Sequence, residues 1–244
     1  MASGGNYKET VMRHLMEIQS FPVGRALFTA LSMYGKRQNI LYGGPSNNQA
    51  AGSAMGYKLL RKYHDASSPM FKDELASTMQ RGRLDRAALA HRLTRQMLYT
   101  WAGGRTPSPF MQRGPGQKAS DKIGEWLAGT SRPTNDEMDV LMLVLEPYLK
   151  SGPGVGTRIN YDPAKEITQG QRRPPQVALF HELIHAYYNA GGNQLGREDS
   201  AAEGNGGRLF ELMAVGLPPF DDRQFSENKL REAWPGCSLR GSYP

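Results

Sequence analysis

The chain has 244 residues, of which 39% are hydrophobic, and a formal net charge of +7. That length allows one compact domain with an insertion, or two small domains, and no apolar run reaches the ~18 residues that a membrane span needs. The single cysteine, Cys237, excludes an internal disulfide framework and a multi-cysteine zinc site, which indicates a reducing compartment.

The first 60 residues predict two helices, a strand and a loop. Residues 9–33 carry apolar side chains at helical spacing on both sides of Pro22, so one helix should end and another begin there. KRQNILYGGP is typical of a short strand that ends in a turn. Residues 46–60 are rich in Asn, Ser, Gly and Ala, and they indicate a loop.

The middle of the chain is helical and basic. A helical pattern runs from about residue 57 to 101, and a Gly/Pro-rich connector follows at 103–117. NDEMDVLMLVLEPYL predicts a short apolar helix with Thr134 or Asn135 as its N-cap. TRINYDP, at residues 157–163, predicts a strand that Asp-Pro brings to an end.

QVALFHELIHAYYNAGG, at residues 176–192, contains two of the five histidines four positions apart. Prolines before it and a Gly-Gly pair after it favour a helix, on which His181 and His185 point to the same side. Two imidazoles at this spacing can bind one Zn²⁺ ion, and Glu182 beside them can take a proton from an attacking water. The alternative interpretation is a helix with two exposed histidines.

A catalytic zinc site needs a third protein ligand. GGRLFELMAVGLPPF predicts a second helix that carries Glu211, and the intervening chain is long enough for an antiparallel return past the first helix. We therefore predict that His181, His185 and Glu211 bind the metal. Glu203 and Glu198, in the polar stretch GREDSAAEGNGG, are the alternatives, and a surface charge is the other interpretation of Glu211.

Five segments in chain order carry a resemblance to a known family: GTRINYDP, HELIHA, ELMAVGL, SENKLRE and RGSY. Together they resemble the NleD-like zinc metallopeptidases, effectors that Gram-negative pathogens inject through type III secretion, with the XopG-type effectors of plant pathogens among them. The resemblance covers residues 150–244 and, more loosely, the first 45; the helical middle matches nothing. Phe210 stands before Glu211 where the family pattern would have a second acidic residue, which removes one carboxylate that could support the metal ligands.

The resemblance implies a zinc endopeptidase with one zinc per chain that cuts host signalling proteins, with MAP kinases as the candidate substrates. It implies delivery into the host cell cytoplasm, an uncleaved polar export signal in MASGGNYKET, and a bacterial secretion chaperone as a second partner. No membrane and no nucleic acid are expected as partners.

The chain also ends with a pattern similar to that of the clostridial neurotoxin light chains. Those proteases share a HELIH core and a terminal Arg-x-x-Tyr, whose side chains stabilise the oxyanion. The resemblance places Arg240 and Tyr243 in this role, which suits a guanidinium and a phenol because both donate hydrogen bonds to charge that develops in the transition state. Asn228 and Arg231 are predicted to shape the site from behind.

We therefore predict an α+β, zincin-like metallopeptidase with a small sheet, an HExxH helix and a following helix that carries the glutamate. Residues 1–45 would hold the export signal and the first helices, 46–150 a helical basic insertion, and 151–244 the catalytic region. Two alternatives remain. In one, zinc supports a binding surface without catalysis, for which an intact Glu182 has no use; in the other, the positive charge binds nucleic acid or an acidic protein.

Overall fold

A computed structural model describes residues 4–43, 49–51, 56–64, 70–101, 115–164, 166, 173–195 and 208–241. These residues form two compact units. The described parts of the first unit come from 1–56, 153–199 and 207–244, and those of the second come from 57–152. In the described residues, no helix is both long enough and apolar enough to cross a membrane.

The first unit begins with the predicted helix pair. Helix α1 spans Gly4–Ser20 and α2 spans Pro22–Met33. The break occurs where the sequence predicts it, because Pro22 lacks a backbone donor and suits the first position of a helix. Gly24 allows the two helices to approach closely, since a Cβ atom there would lie 2.0 Å from the carbonyl oxygen of Ile18.

A three-stranded sheet follows in the order β1-β3-β2, where β1 is Gln38–Tyr42, β2 is Gln49–Ala51 and β3 is Thr157–Tyr161. The outer strand β1 runs parallel to the central β3, and β2 runs antiparallel to it. Strand β3 alternates as predicted, with its first, third and fifth residues buried. The loop predicted over 46–60 is wrong in part, because main-chain pairing with β3 makes residues 49–51 a strand and a helix begins at Lys58.

Helices α8 (Pro175–Gly191), α9 (Arg208–Val215) and α10 (Glu227–Ala233) complete the first unit. Helix α8 begins at a proline and ends against Gly192, whose left-handed φ of 62° stops the helix. It packs against α1, α2, α10 and the sheet, so most of its residues are buried, including Val177, Phe180 and Ile184. The histidine helix is therefore the core element of this unit.

The second unit is entirely helical in its described residues. Its helices are α3 (Lys58–His64), α4 (Met70–Arg81), α5 (Arg86–Trp101), α6 (Pro115–Ala128) and α7 (Asn135–Leu145), followed by a 3-10 turn at Glu146–Tyr148. The segment predicted to be helical, from about 57 to 101, thus forms three helices, α3, α4 and α5. Helix α6 was not predicted from the sequence, and its start replaces the end of the predicted connector. The rest of the connector, at 103–114, lies outside the described residues.

Thr134 is the N-cap of α7, which decides between the two predicted candidates. Its hydroxyl accepts from the backbone N–H of Glu137, and the Glu137 carboxylate accepts from the backbone N–H of Thr134 at 2.8 Å. This reciprocal capping box satisfies two donors that a helix start otherwise leaves unpaired. The fold as a whole is α+β and mostly helical, as predicted.

Candidate metal centre

The structure brings His181, His185 and Glu211 together. The histidines lie one turn apart on α8, and Glu211 comes from α9. His181 Nε2 lies 3.0 Å from His185 Nε2 and 3.0 Å from Glu211 Oε2, and His185 Nε2 lies 3.5 Å from Glu211 Oε1. One donor atom from each residue falls within 4.8 Å of the other two, so the group could hold a metal ion.

The chemistry of these donors fits a cation. His181 Nδ1 lies 2.8 Å from a carboxylate oxygen of Glu227, and an ionised carboxylate can only accept a hydrogen bond. In the neutral ring, therefore, Nδ1 carries the proton and Nε2 carries the lone pair. That lone pair points at a second imidazole nitrogen and at the Glu211 carboxylate. Three electron-rich atoms converging in this way are well suited to sharing one metal ion.

Without a metal, the pKa values of His181 and Glu211 are strongly shifted. Burial opposes protonation of His181, but the carboxylates of Glu211 and Glu227 outweigh it and raise the pKa of His181 to about 9. Burial also disfavours the charged form of Glu211, yet the adjacent His181 and His185 hold its pKa well below the usual range for a carboxylate. His181 and Glu211 thus each favour the charged form of the other in the absence of a metal.

Glu182 follows His181 directly on α8 and is only 5% exposed. It lies on the same helix as both histidines, and its catalytic role stays a prediction. A buried carboxylate that directly follows His181 in the chain is a candidate for exchanging a proton with a bound water or substrate.

The close approach of α9 and α10 depends on a glycine. Gly216, just after α9, has a φ of 79°, and a Cβ atom there would lie 2.4 Å from Ser226 Oγ. Ser226 is the N-cap of α10 and accepts from the backbone N–H of Lys229. The end of α9 and the start of α10 therefore meet side by side, which places Glu211 and Glu227 near the same histidine.

Glu227 was not predicted to belong to the site. It is fully buried, and besides His181 it contacts Arg231 Nε at 2.6 Å and an Arg173 guanidinium nitrogen at 3.2 Å. Glu227 lies in SENKLRE, one of the segments that carry the resemblance, but a glutamate four positions before an arginine is the pattern of an exposed helical ion pair, so no role at the site was predicted for it. The carboxylate next to a histidine of the centre is therefore that of Glu227. Phe210, which stands where a second acidic residue was expected, packs its ring on His185, with the ring centroids 4.8 Å apart.

The described part of the C-terminal segment lies behind His181. Arg240 exchanges two hydrogen bonds with the side chain of Asn228, at 2.8 and 2.9 Å, and its guanidinium lies 3.7 Å from Glu227 Oε2. Arg231 donates to the carbonyl of Ser238 at 3.1 Å. Tyr243, Glu198 and Glu203 lie outside the described residues, so the alternatives to Glu211 remain predictions.

Comparison with models of protein families gives a match. A family model for peptidase M91, described as effector protein, matches residues 46–243. Neither the curated proteins nor the solved structures gave a match. The matched range corrects the extent of the resemblance seen in the sequence, because it includes the helical stretch 46–150 and leaves out the first 45 residues.

Proposed function

Because this chain belongs to the peptidase M91 family of effector proteins, the NleD-like effector metallopeptidases, we propose that it is a zinc-dependent endopeptidase with a zincin-like catalytic region. The observation that carries the proposal is the convergence of His181 Nε2, His185 Nε2 and the Glu211 carboxylate, where both histidines are buried and Glu211 is partly exposed. In this assignment the three residues hold one zinc ion per chain.

Zinc supplies a Lewis acid that acidifies a bound water and polarises the scissile carbonyl. The three residues would provide two neutral imidazoles and one carboxylate, which is the donor count of catalytic rather than structural zinc sites. His181, Glu182 and His185 are each at most 5% exposed, so charges beside them interact more strongly than charges in water.

Glu182 is the proposed general base. It takes a proton from the attacking water and returns it to the leaving amine, and its burial among apolar neighbours on α8 keeps it in place for both transfers. A zinc site that only supported a binding surface would gain nothing from this carboxylate, which is why we favour catalysis over the non-catalytic alternative.

Arg240 and Tyr243 are proposed as donors to the oxyanion, by their likeness to the terminal Arg-x-x-Tyr of clostridial light chains. In the described residues the Arg240 guanidinium lies 3.7 Å from Glu227 Oε2, the carboxylate oxygen beside Nδ1 of His181, so its oxyanion role rests on the likeness alone. Tyr243→Phe should then lower kcat by about 10²–10³ with little change in KM. If kcat of Tyr243→Phe is unchanged, the Tyr243 hydroxyl does not stabilise the oxyanion and other groups must do so.

The substrates are proposed to be host signalling proteins, with MAP kinases as candidates by resemblance, after type III secretion into the host cell cytoplasm. In this proposal residues 1–45 carry the export signal, 46–150 form an insertion and 151–244 the catalytic region, and a secretion chaperone is a further partner. An extended substrate could pair with an outer strand of the sheet; β2 is one such edge and contacts α8.

The test is incubation of zinc-loaded protein with host-cell lysate, followed by mapping of new protein N-termini. Wild type should generate defined new N-termini, and Glu182→Ala should generate none while still binding zinc. Glu232→Ala is the matched control, because Glu232 is exposed on α10. If wild type and Glu182→Ala give the same N-termini, the proposed peptidase activity is wrong.

A further inference from the structure

We propose that Glu227 is a positioning residue of the metal centre, which holds the ring proton of His181 on Nδ1 and so turns the Nε2 lone pair toward His185 and Glu211. The inference rests on the proposed function, since it concerns the same centre, but it assigns a residue outside the HExxH motif and outside the predicted ligands.

The contact itself is short and fully enclosed. Glu227 Oε2 lies 2.8 Å from His181 Nδ1, and neither side chain is more than 4% exposed. With no water to compete, the ring nitrogen and the carboxylate satisfy each other, and the only proton that can lie between them comes from the imidazole if Glu227 stays ionised.

A ring of cations keeps Glu227 ionised. Arg231 donates to Oε1 at 2.6 Å, Arg173 donates to Oε2 at 3.2 Å, and Arg240 lies 3.7 Å from Oε2. A buried carboxylate is costly unless it is paired and hydrogen-bonded, and here both of its oxygens are. Glu227 is therefore a permanent acceptor for His181, held from three separate parts of the chain.

The two histidines are supported differently. His185 Nδ1 is buried and has no hydrogen-bond partner among the described residues, and packing against Phe210 orients its ring. Among the described residues, a carboxylate lies at Nδ1 of His181 but not at Nδ1 of His185. A histidine whose second nitrogen donates to a carboxylate is a more basic and better oriented ligand, and loss of such a partner typically weakens metal binding about 10–100-fold.

The first experiment measures zinc affinity by chelator competition in Glu227→Gln and Glu227→Asp. The amide of Gln removes the negative charge. The shorter side chain of Asp keeps the negative charge near the arginines but moves it away from His181. Both should bind zinc more weakly, with a loss of about 10–100-fold for Glu227→Gln. Glu232→Gln on the same helix is the control and should bind as wild type does. Folded Glu227 variants with wild-type affinity would overturn the proposal.

The second experiment needs no variant at Glu227, so it holds even if those proteins do not fold. In zinc-loaded wild type with ¹⁵N-labelled histidine, NMR should show the Nδ1–H proton of His181 at lower field, and exchanging more slowly, than that of His185. Equal shifts and exchange rates for the two rings would overturn the proposal. If the wild-type protein binds zinc but cleaves no protein, only the proposed peptidase activity is wrong. If it binds no zinc, both the peptidase activity and the role of Glu227 are wrong.

Discussion

Glu182 is the residue on which catalysis depends in the proposed mechanism. Glu182→Gln preserves the shape of the side chain but removes its basicity, while His181, His185 and Glu211 are unchanged. We expect zinc content to remain at one ion per chain and kcat to fall by about 10²–10⁴, the usual contribution of a general base. Metal analysis together with single-turnover cleavage measures both quantities. A variant that lost its zinc would show that Glu182 supports the metal instead.

His181 leads to a prediction about protons. Its pKa of about 9 in the metal-free protein means that the ring is protonated at pH 7, whereas a metal ligand must be neutral. Zinc binding at pH 7 should therefore release about one proton from His181, and zinc affinity should rise with pH until pH exceeds about 9. Calorimetry in buffers of different ionisation enthalpy counts the protons released. If the number of protons released on zinc binding were the same at pH 7 and pH 10, His181 would not be their source.

At the scale of elements, the position of α8 against the sheet depends on Gly154, just before β3. Its φ is 64°, and a Cβ atom there would lie 2.0 Å from the carbonyl oxygen of Ala190 near the end of α8. Gly35 has almost the same φ, 61°, but nothing lies within 4 Å of its Cβ position. Substitutions at Gly35 test the effect of the left-handed φ alone, whereas substitutions at Gly154 test that effect together with close packing against α8.

Gly35→Ala should cost only the left-handed strain, about 1–2 kcal/mol of unfolding free energy. Gly154→Ala should cost about 1–3 kcal/mol more, because the new methyl group pushes α8 away from β3. Urea titration measures both values. Equal losses would mean that α8 and the segment before β3 separate without strain, and that Gly154 is needed only for its φ.

At the scale of the whole molecule, the two units predict where zinc acts. A ligand stabilises the part of a protein whose unfolding releases it, and parts that open independently gain nothing. All three predicted ligands belong to the first unit. Zinc should therefore slow hydrogen exchange in α8, α9 and α10 and leave α4 to α7 unchanged. Mass spectrometry of exchanged peptides with and without zinc tests this, and protection that spread equally over α4 to α7 would show that both units unfold together.

Much of the fold and half of the site follow from local patterns in the sequence. Pro22, Pro175 and Gly192 mark helix ends because their backbone conformations are restricted or unusually free, whatever the rest of the chain does. The four-residue spacing of His181 and His185 places both rings on one face of any helix. These features depend on covalent neighbours and on helical period, so they can be recognised without knowing the tertiary fold.

Only the tertiary structure decided the remaining features, because each depends on residues far apart in the chain. Strand β2 has a loop-like composition and becomes a strand through main-chain pairing with β3. Phe210 contacts a histidine where the sequence suggested a missing carboxylate. Glu227 looks like one half of an exposed ion pair, yet it is buried against His181 because arginines from before α8, within α10 and after it surround its charge. Local periodicity carries no information about which distant cations can make the burial of a carboxylate favourable.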